Sequence, residues 1–226
     1  MSTQKLVALL PMKAHSERVP GKNFRILGDK PLYAWMLDTL LAIDDIATVV
    51  INTDATSELR HDPRLRQPRV LLRERSAELC GDFVSMNRII ADDIAAVPAD
   101  SYLMTHVTNP FLSVATIRAA VAAYDEGLAD DKVDSLFTVT RHQTRFYRAD
   151  GTAINHDPAN LLRTQDLEPW FEENSCMYLF SAASFARTEA RIGEHPILFP
   201  IPKREAVDID DQDDWNVAAQ LAAGMA

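Results

Sequence analysis

Short apolar runs of strand length alternate with segments of helical period along most of this chain. The runs are uninterrupted, as buried parallel strands usually are, and the segments between them repeat apolar residues three and four positions apart. The predicted strands are 6–10, 48–52, 70–74, 102–108, 135–140 and 176–180, and the predicted helices are 32–43, 84–97, 114–127 and 213–225. We therefore expect an α/β fold with a mainly parallel open sheet and helices on both faces, built as a single domain over residues 1–226.

The alternation is interrupted between about residues 141 and 173. This stretch is polar, contains Pro158 and Pro169, and keeps neither the helical nor the strand period for long. Ala149–Asp150–Gly151–Thr152 predicts a hairpin turn between short strands. A long irregular excursion from a compact domain usually forms a lid, a substrate loop or a dimer contact. We expect residues 141–173 to protrude as a small arm.

The charge and cysteine content exclude several classes of protein. The formal net charge of −10 opposes general binding to nucleic acid or to an anionic membrane, since both require a broad basic surface. Cys80 and Cys176 are the two cysteines, and thiols this far apart suit a reducing compartment. The apolar stretch near residue 6 is short for a signal peptide, and no later window approaches a membrane span. These observations predict a cytoplasmic protein.

A basic loop follows the first predicted strand. Residues 11–25 read PMKAHSERVPGKNFR and hold Lys13, His15, Arg18, Lys22 and Arg25. Loops at the carboxyl ends of parallel strands can present ammonium, guanidinium and backbone N–H donors together, which suits phosphate oxygens. A solvated surface loop is the alternative. The glycine-rich dinucleotide fingerprint and the P-loop motif are both missing from the sequence.

An acidic segment near the end of the chain offers a possible metal site. Asp208 and Asp210 alternate on a predicted strand and would point to the same side, where two carboxylates can hold Mg²⁺ together with substrate phosphates. Structural use of these carboxylates is the competing interpretation. Three further aspartates are expected to cap the final helix instead: Asp211, Asp213 and Asp214.

Five segments, in order, resemble the acylneuraminate cytidylyltransferases, the CMP-sialic acid synthetase-like family. They are LLPMKAHSERVPGKNFRILGDKPLYAW, INTDA, THVTNPFL, ENSCMYLF and VDIDDQDDW. The resemblance implies a Rossmann-like nucleotidyltransferase fold and a homodimer in which the arm serves for dimerisation. It also implies a reaction: CMP passes from CTP to the anomeric hydroxyl of a nonulosonic-type sugar acid of the sialic, legionaminic or pseudaminic class, with Mg²⁺ as cofactor and pyrophosphate as product.

The resemblance also implies roles for individual residues. Lys22, Asp208 and Asp210 would be catalytic, and the two aspartates would hold the metal. The residues implied to bind CTP are Lys13, Ser16, Lys22, Asn23, Asp82 and Ser85. Those implied to bind the sugar are His106, Thr108, Asn109, Asn174 and Arg163, the last of them acting on the partner subunit's site.

Some positions differ from the family. His106 stands where many sialic acid enzymes have glutamine, and Glu172 and Glu173 stand where arginine and proline are frequent. A carboxylate close to the sugar carboxylate would repel it. Either the acceptor differs from N-acetylneuraminate, or these glutamates point away from the site.

Two other functional classes stay open at this point. Asp208-Ile-Asp210 could be the DxD motif of a metal-dependent glycosyltransferase, or the acceptor could be a sugar-1-phosphate. The chain could also be a non-catalytic nucleotide-binding homologue, although such a protein would be expected to have lost some of the charged residues. Metal-dependent release of pyrophosphate distinguishes the enzyme from the binding protein.

Overall fold

The computed structural model describes residues 5–130 and 132–225, and within them lie nine strands and six α-helices. The strands are β1 (Leu6–Leu9), β2 (Ile26–Leu27), β3 (Lys30–Pro31), β4 (Ile46–Thr53), β5 (Val70–Glu74), β6 (Ser101–Thr105), β7 (Ser135–His142), β8 (Trp170–Ser181) and β9 (Pro196–Pro200). The helices are α1 (Leu32–Leu41), α2 (Thr56–Leu59), α3 (Met86–Ala96), α4 (Val114–Ala129), α5 (Ala182–Thr188) and α6 (Gln212–Ala223).

Seven strands form one open sheet in the order β5-β4-β1-β6-β8-β7-β9. Neighbouring strands are parallel, except that β8 runs antiparallel to both β6 and β7. Strand β1 lies in the middle, with Ala8 beside Val49 on one side and Leu103 on the other. The prediction of a mainly parallel sheet is confirmed, and β2 and β3 form a separate two-stranded hairpin.

Helices cover both faces of the sheet, as the sequence predicted. One hydrophobic cluster packs α1 and α4 against the sheet through residues such as Leu37 and Ile117. The opposite cluster packs α3 and α5 against it through Ile90 and Phe185. Both faces of the central strands are therefore buried, which explains why these strands read as unbroken apolar runs.

Strand β8 contains a wide bulge. Its pairing with β7 shifts register between Phe137 and Val139, and Ser175 within the bulge has a φ of 58°, in the left-handed region. The Thr138 hydroxyl accepts a hydrogen bond from the Met177 backbone N–H (3.0 Å) and donates one to Asn174 Oδ1 (2.7 Å). The bulge divides β8 into an inner half within the sheet and an outer half that continues beyond it with β7.

The irregular excursion is shorter than the sequence indicated. Because residues 139–142 pair with 170–173, the arm proper comprises residues 143–169. It contains the predicted turn, in which the Gly151 N–H donates to the Arg148 carbonyl (2.9 Å). The arm's backbone is held largely by its own side chains: Gln143 Nε2 donates to the Gln165 and Leu167 carbonyls, and Arg145 donates to that of Leu162.

The prediction of a strand at Asp208–Asp210 is wrong. Strand β9 ends at Pro200, and residues 201–211 form a turn followed by irregular extended backbone. Pro200 and Pro202 have no N–H to donate to a sheet, and the Ile209 N–H donates to the Thr108 carbonyl (2.9 Å) rather than to a strand. In the described part of the chain, no helix combines the length and apolarity that a membrane span requires.

Candidate active site

A cavity of about 280 Å³ opens at the carboxyl ends of β1 and β6. Three parts of the chain line it: residues from 11–23 of the basic loop, Asp82 with Met86, and residues 106–108 after β6. These segments meet because β1 and β6 are parallel neighbours in the sheet. Ligands of open α/β sheets bind at this edge.

The basic loop is shaped by a glycine turn and anchored by one apolar side chain. Gly21 has a φ of 66°, which L residues with a Cβ adopt only with strain. It accepts backbone hydrogen bonds from Phe24 and Arg25 (3.0 Å each) in the short 3₁₀ turn that follows. Val19 is buried among Leu27, Phe111, Ile209 and other residues of a third apolar cluster. The loop is therefore fixed at both sides of the turn.

Lys22 is the central cation of the cavity. Its side chain is 7% exposed, and its Nζ donates a hydrogen bond to the Ile209 carbonyl. Burial lowers the pKa of Lys22, while the nearby Asp210 and Asp208 carboxylates act in the opposite direction. The two ends of the chain thus converge at Lys22, as the proposed phosphate and metal sites require.

Two further cations pair with carboxylates at the rim. Lys13 Nζ lies 2.8 Å from Asp82 Oδ1, and Arg18 Nη2 lies 2.7 Å from Asp210 Oδ1. All four side chains are largely exposed, so each pair contributes little to stability. Phosphate oxygens entering the cavity would compete with Asp82 and Asp210 for these cations.

Asn23 and Ser16 lie in the same loop. Asn23 is buried, and its Nδ2 donates to the Lys13 carbonyl (2.8 Å). Its Oδ1 is buried without a partner among the described residues. Ser16 lines the cavity directly. The Asn23 side chain therefore stabilises the loop, and its Oδ1 is available to accept a further hydrogen bond.

Asp208 and Asp210 differ in their surroundings. Burial raises the pKa of Asp208, with the Asp210 charge adding to the effect, and Asp208 Oδ1 is buried without a partner among the described residues. Asp210 is half-exposed and paired with Arg18. An orphaned carboxylate oxygen next to a second carboxylate fits a hard cation that completes its shell with water and phosphate oxygens. Across residues 5–130 and 132–225, no group of three or more His, Cys, Asp or Glu side chains could hold a metal by itself.

The predicted capping of α6 is confirmed. The Asp211 carboxylate accepts from the Asp213 and Asp214 backbone N–H groups, and the Asp214 carboxylate accepts in return from the Asp211 N–H. Asp214 also accepts from the Asp210 N–H (2.9 Å). This capping box fixes the backbone conformation at Asp210.

The segment after β6 presents His106 and Thr108 to the cavity. Burial lowers the pKa of His106 to about 3, and the cations of Arg191 and Lys22 contribute to the shift. The ring is neutral at physiological pH and can exchange hydrogen bonds without adding charge. Asn109 is fully buried instead, and its Nδ2 donates to the Val207 carbonyl (3.3 Å), so it braces the segment from beneath.

A buried arginine supports the floor of the site. Arg75 donates from Nε to Asn52 Oδ1 (2.8 Å) and from Nη2 to the Asn52 carbonyl (2.7 Å) and the Met12 carbonyl (3.2 Å). Asp54 in turn accepts from the Ala14 N–H (2.6 Å). The INTDA segment at the end of β4 therefore lies beside the basic loop and holds it in place.

Six predicted site residues do not line this cavity: Asn109, Asp208 and Asp210, described above, and Ser85, Asn174 and Arg163. Ser85 accepts a hydrogen bond from the Asn87 N–H as the N-cap of α3 and lines a neighbouring cavity. Asn174 lies in the β8 bulge and bonds to Thr138. Arg163 lies in the arm, is 73% exposed and pairs with Asp166 at 2.7 Å. Its proposed role requires a second subunit.

The two unusual glutamates point to different places. Glu172 Oε2 lies 2.7 Å from His142 Nε2 at the base of the arm, outside the cavity. Glu173 accepts a hydrogen bond from the Tyr178 hydroxyl and lies 3.7 Å from Arg191 Nη2. Its charge is therefore partly neutralised by a neighbouring cation.

Sequence reasoning missed several lining residues. Arg18 and Glu17 lie within the basic segment that resembles the family but were assigned no role in the site, and Met86 carries no motif. Arg191, whose charge reaches His106, follows a helix that the apolar pattern did not predict. No sequence signal would have brought Arg191 to this site.

Known proteins resemble this chain over nearly its full length. The family model described as Cytidylyltransferase matches residues 7–221. A CMP-N,N'-diacetyllegionaminic acid synthase of Legionella pneumophila is 26% identical, with 96% of each chain covered. A pseudaminic acid cytidylyltransferase of Campylobacter jejuni is 20% identical, again with 96% of each covered. An N-acylneuraminate cytidylyltransferase of Streptococcus agalactiae is 23% identical over 93% of this chain, which spans about half (52%) of that relative.

Two solved structures have the same fold. A CMP:2-keto-3-deoxy-manno-octonic acid synthetase complexed with CTP superposes with a TM-score of 0.64 at 15% identity, covering 98% of this chain and 100% of the other. The 4-diphosphocytidyl-2C-methyl-D-erythritol synthase of Anaerococcus prevotii gives 0.67 at 12% identity, covering 98% and 97%. At these identities the likeness concerns the fold alone. With the family model matched from the first strand to the last helix, the chain belongs to the cytidylyltransferase family.

Proposed function

We propose that this protein transfers CMP from CTP to the anomeric hydroxyl of a nonulosonic-type 2-keto sugar acid for a bacterial surface glycan. The observation that carries the proposal is the proximity of Asp208 and Asp210 to Lys22, which lines the cavity at the carboxyl ends of β1 and β6. Relatives named for legionaminic, pseudaminic and N-acylneuraminic acids support the acceptor class.

The charges of the site suit nucleotidyl transfer. The anomeric oxygen would attack the α-phosphorus, the bond to the bridging oxygen would break, and pyrophosphate would leave with the electron pair. Such transfers depend mainly on positioning and on neutralising the phosphate oxygens. Lys22 is buried and aimed into the site, while Lys13 and Arg18 are at its rim. Neutral His106 suits a hydrogen bond to a sugar hydroxyl.

We assign the Mg²⁺ site to Asp208 and Asp210. The unpartnered Oδ1 of Asp208 supports the assignment, and so does the proximity of both carboxylates to Lys22. When bound, Mg²⁺ neutralises charge on the triphosphate. Arg18 pairs with Asp210, and a metal bound at Asp210 would leave Arg18 available to the phosphates.

We propose a homodimer formed through the arm. Large apolar side chains in and beside it are exposed, which favours burial in an interface: Tyr147, Leu161, Leu162, Trp170 and Phe171. In the dimer, Arg163 would reach the partner's acceptor site. We also propose a cytoplasmic location, since the reaction consumes CTP and the two free cysteines suit a reducing compartment.

The proposal is tested by pyrophosphate release with CTP and Mg²⁺ across a panel of nonulosonic acids and 3-deoxy-octulosonic acid. UTP, ATP and a chelator serve as controls. Release that requires CTP, metal and one class of sugar acid is the expected result. Binding of CTP without release of pyrophosphate in the presence of any sugar acid would contradict the proposed function and indicate a non-catalytic nucleotide-binding protein.

A further inference from the structure

A second cavity, of about 330 Å³, adjoins the nucleotide cavity. It is lined by residues 85–87 at the start of α3, by Glu173 of β8 and by residues 190–192 after α5. Met86 lines both cavities, so the two spaces are neighbours across a single side chain. A sugar held in the second cavity would lie next to a nucleotide held in the first.

Arg191 is the cation of this second cavity. Its guanidinium carbon lies 3.9 Å from the centroid of the Tyr178 ring, and its side chain is 20% exposed. Stacking on an aromatic ring orients the planar guanidinium and limits its freedom. The group is therefore preorganised before any ligand arrives.

The guanidinium has unused hydrogen-bonding capacity. Its contact with Glu173 Oε1 is 3.7 Å, too long for a hydrogen bond, and Nη1 has only a 4.0 Å contact with Met104 Sδ. Among the described residues, the guanidinium donates no hydrogen bond to an oxygen atom. Glu173 instead accepts from the Tyr178 hydroxyl. A ligand carboxylate could thus pair with Arg191 without first breaking a hydrogen bond.

We propose that Arg191 binds the carboxylate of the acceptor sugar acid from within the subunit that also binds the nucleotide. The assignment rests on the proposed function and specifies which residue of the site recognises the acid. A planar guanidinium matches a carboxylate in a two-point contact. The Glu173 carboxylate accepts a hydrogen bond from the Tyr178 hydroxyl and lies 3.7 Å from Arg191, so the sugar carboxylate would replace a loose ion pair, and Arg191 would offset the repulsion from Glu173.

The position of His106 agrees with this assignment. Lys22 and Arg191 both act on the charge state of the ring; His106 and Lys22 line the first cavity, and Arg191 lines the second. A sugar acid lying across the two cavities would have its carboxylate at Arg191 and its hydroxyls near His106.

The test compares Arg191→Met with the wild-type enzyme in the pyrophosphate assay, using the preferred sugar acid and its carboxamide analogue. A charged hydrogen bond of this kind corresponds to about 10- to 100-fold in affinity. We expect the KM for the sugar acid to rise by that factor, while the KM for CTP stays within about twofold. The wild-type preference for acid over carboxamide should disappear in the variant, which loss of structure alone would not cause.

Two further variants make the result specific. Arg187→Met removes a neighbouring arginine that pairs with Asp134 instead (2.9 Å), and it should retain the wild-type KM and acid preference. Arg191→Lys retains the charge without the planar two-point contact and should give an intermediate KM.

An unchanged KM for the acid in Arg191→Met, or a retained preference for acid over carboxamide, would overturn the assignment. Loss of that preference in Arg163→Met but not in Arg191→Met would move the carboxylate site to the partner's arm. If wild-type protein releases no pyrophosphate with any sugar acid, the proposed function fails, and the role of Arg191 fails with it.

Discussion

Replacing Lys22 with methionine tests the charge arrangement of the nucleotide site directly. Methionine fills most of the space of the lysine stem but removes the ammonium group, which donates to the Ile209 carbonyl and lies near Asp208 and Asp210. A hydrogen bond to a charged group contributes about 1.5 to 3 kcal/mol, and 1.4 kcal/mol is a factor of ten. The structure therefore predicts a loss of about 10- to 150-fold in kcat/KM for CTP.

The fold should tolerate this substitution. Burying the Lys22 ammonium group costs desolvation free energy, which the attraction of the neighbouring carboxylates partly offsets. Removing the charge removes both contributions, and their effects on the free energy of unfolding oppose each other. We expect the melting temperature to change by less than about 4 °C, the shift that about 1 to 2 kcal/mol produces in a chain of this length. The matched control is Lys203→Met, which removes an exposed lysine outside the cavity.

The assay is the initial rate of pyrophosphate release against CTP concentration at saturating Mg²⁺ and sugar acid. Calorimetric titration with CTP separates binding from chemistry. A Lys22→Met enzyme with kcat/KM within about twofold of both wild type and Lys203→Met would refute the assignment of Lys22 to the triphosphate.

Three other predictions follow from the geometry. Asp210→Asn should lower kcat by at least about 100-fold, because the metal would lose a charged ligand, while circular dichroism stays unchanged since Asp210 is half-exposed. An unchanged kcat together with an unchanged Mg²⁺ requirement would contradict direct ligation. Burial raises the pKa of Asp93 from 3.8 to about 6, so this carboxyl group binds its proton more tightly in the folded state than in the unfolded state. Its contribution to the free energy of unfolding therefore falls as pH rises between those two values. Asp93→Asn should weaken the pH dependence of the melting temperature there, and an identical slope in both proteins would remove Asp93 as its source. Replacing Leu161 and Leu162 together with glutamate should yield monomers by light scattering, and an unchanged mass would exclude this part of the arm from the interface.

The elements predicted best from sequence are those buried on both sides. Strand β1 was predicted at 6–10 and lies at Leu6–Leu9 with all four residues buried, and β6 was predicted to begin at 102 and begins at Ser101 with all its residues buried. In each case burial determines which positions must be apolar, so the element can be read from the local sequence. The outer half of β8 was missed because Trp170–Glu173 pair only with β7, beyond the sheet, where no continuous core imposes an apolar run.

The apolar pattern of the sequence also could not predict that β8 runs antiparallel to its neighbours. Its inner residues are as apolar as those of a parallel strand, so orientation depends on the connection through the arm rather than on composition. Asp208 and Asp210 were correctly expected near Lys22 but wrongly given a strand, since the prolines at 200 and 202 end the sheet before them. Arg191 acquires its role only through the tertiary contact with Tyr178.

The self-sufficiency of the arm has a consequence for how such enzymes diversify. Its carbonyls are bonded by its own Gln143 and Arg145, and its aromatic contact joins Phe146 to Trp170 at its base. Substitutions there need not disturb the nucleotide cavity, which is built from other segments. In the proposed homodimer, the contact between subunits could therefore be altered without changing the nucleotide cavity, and the arm is a natural unit to exchange between homologues when designing enzymes with new quaternary structure.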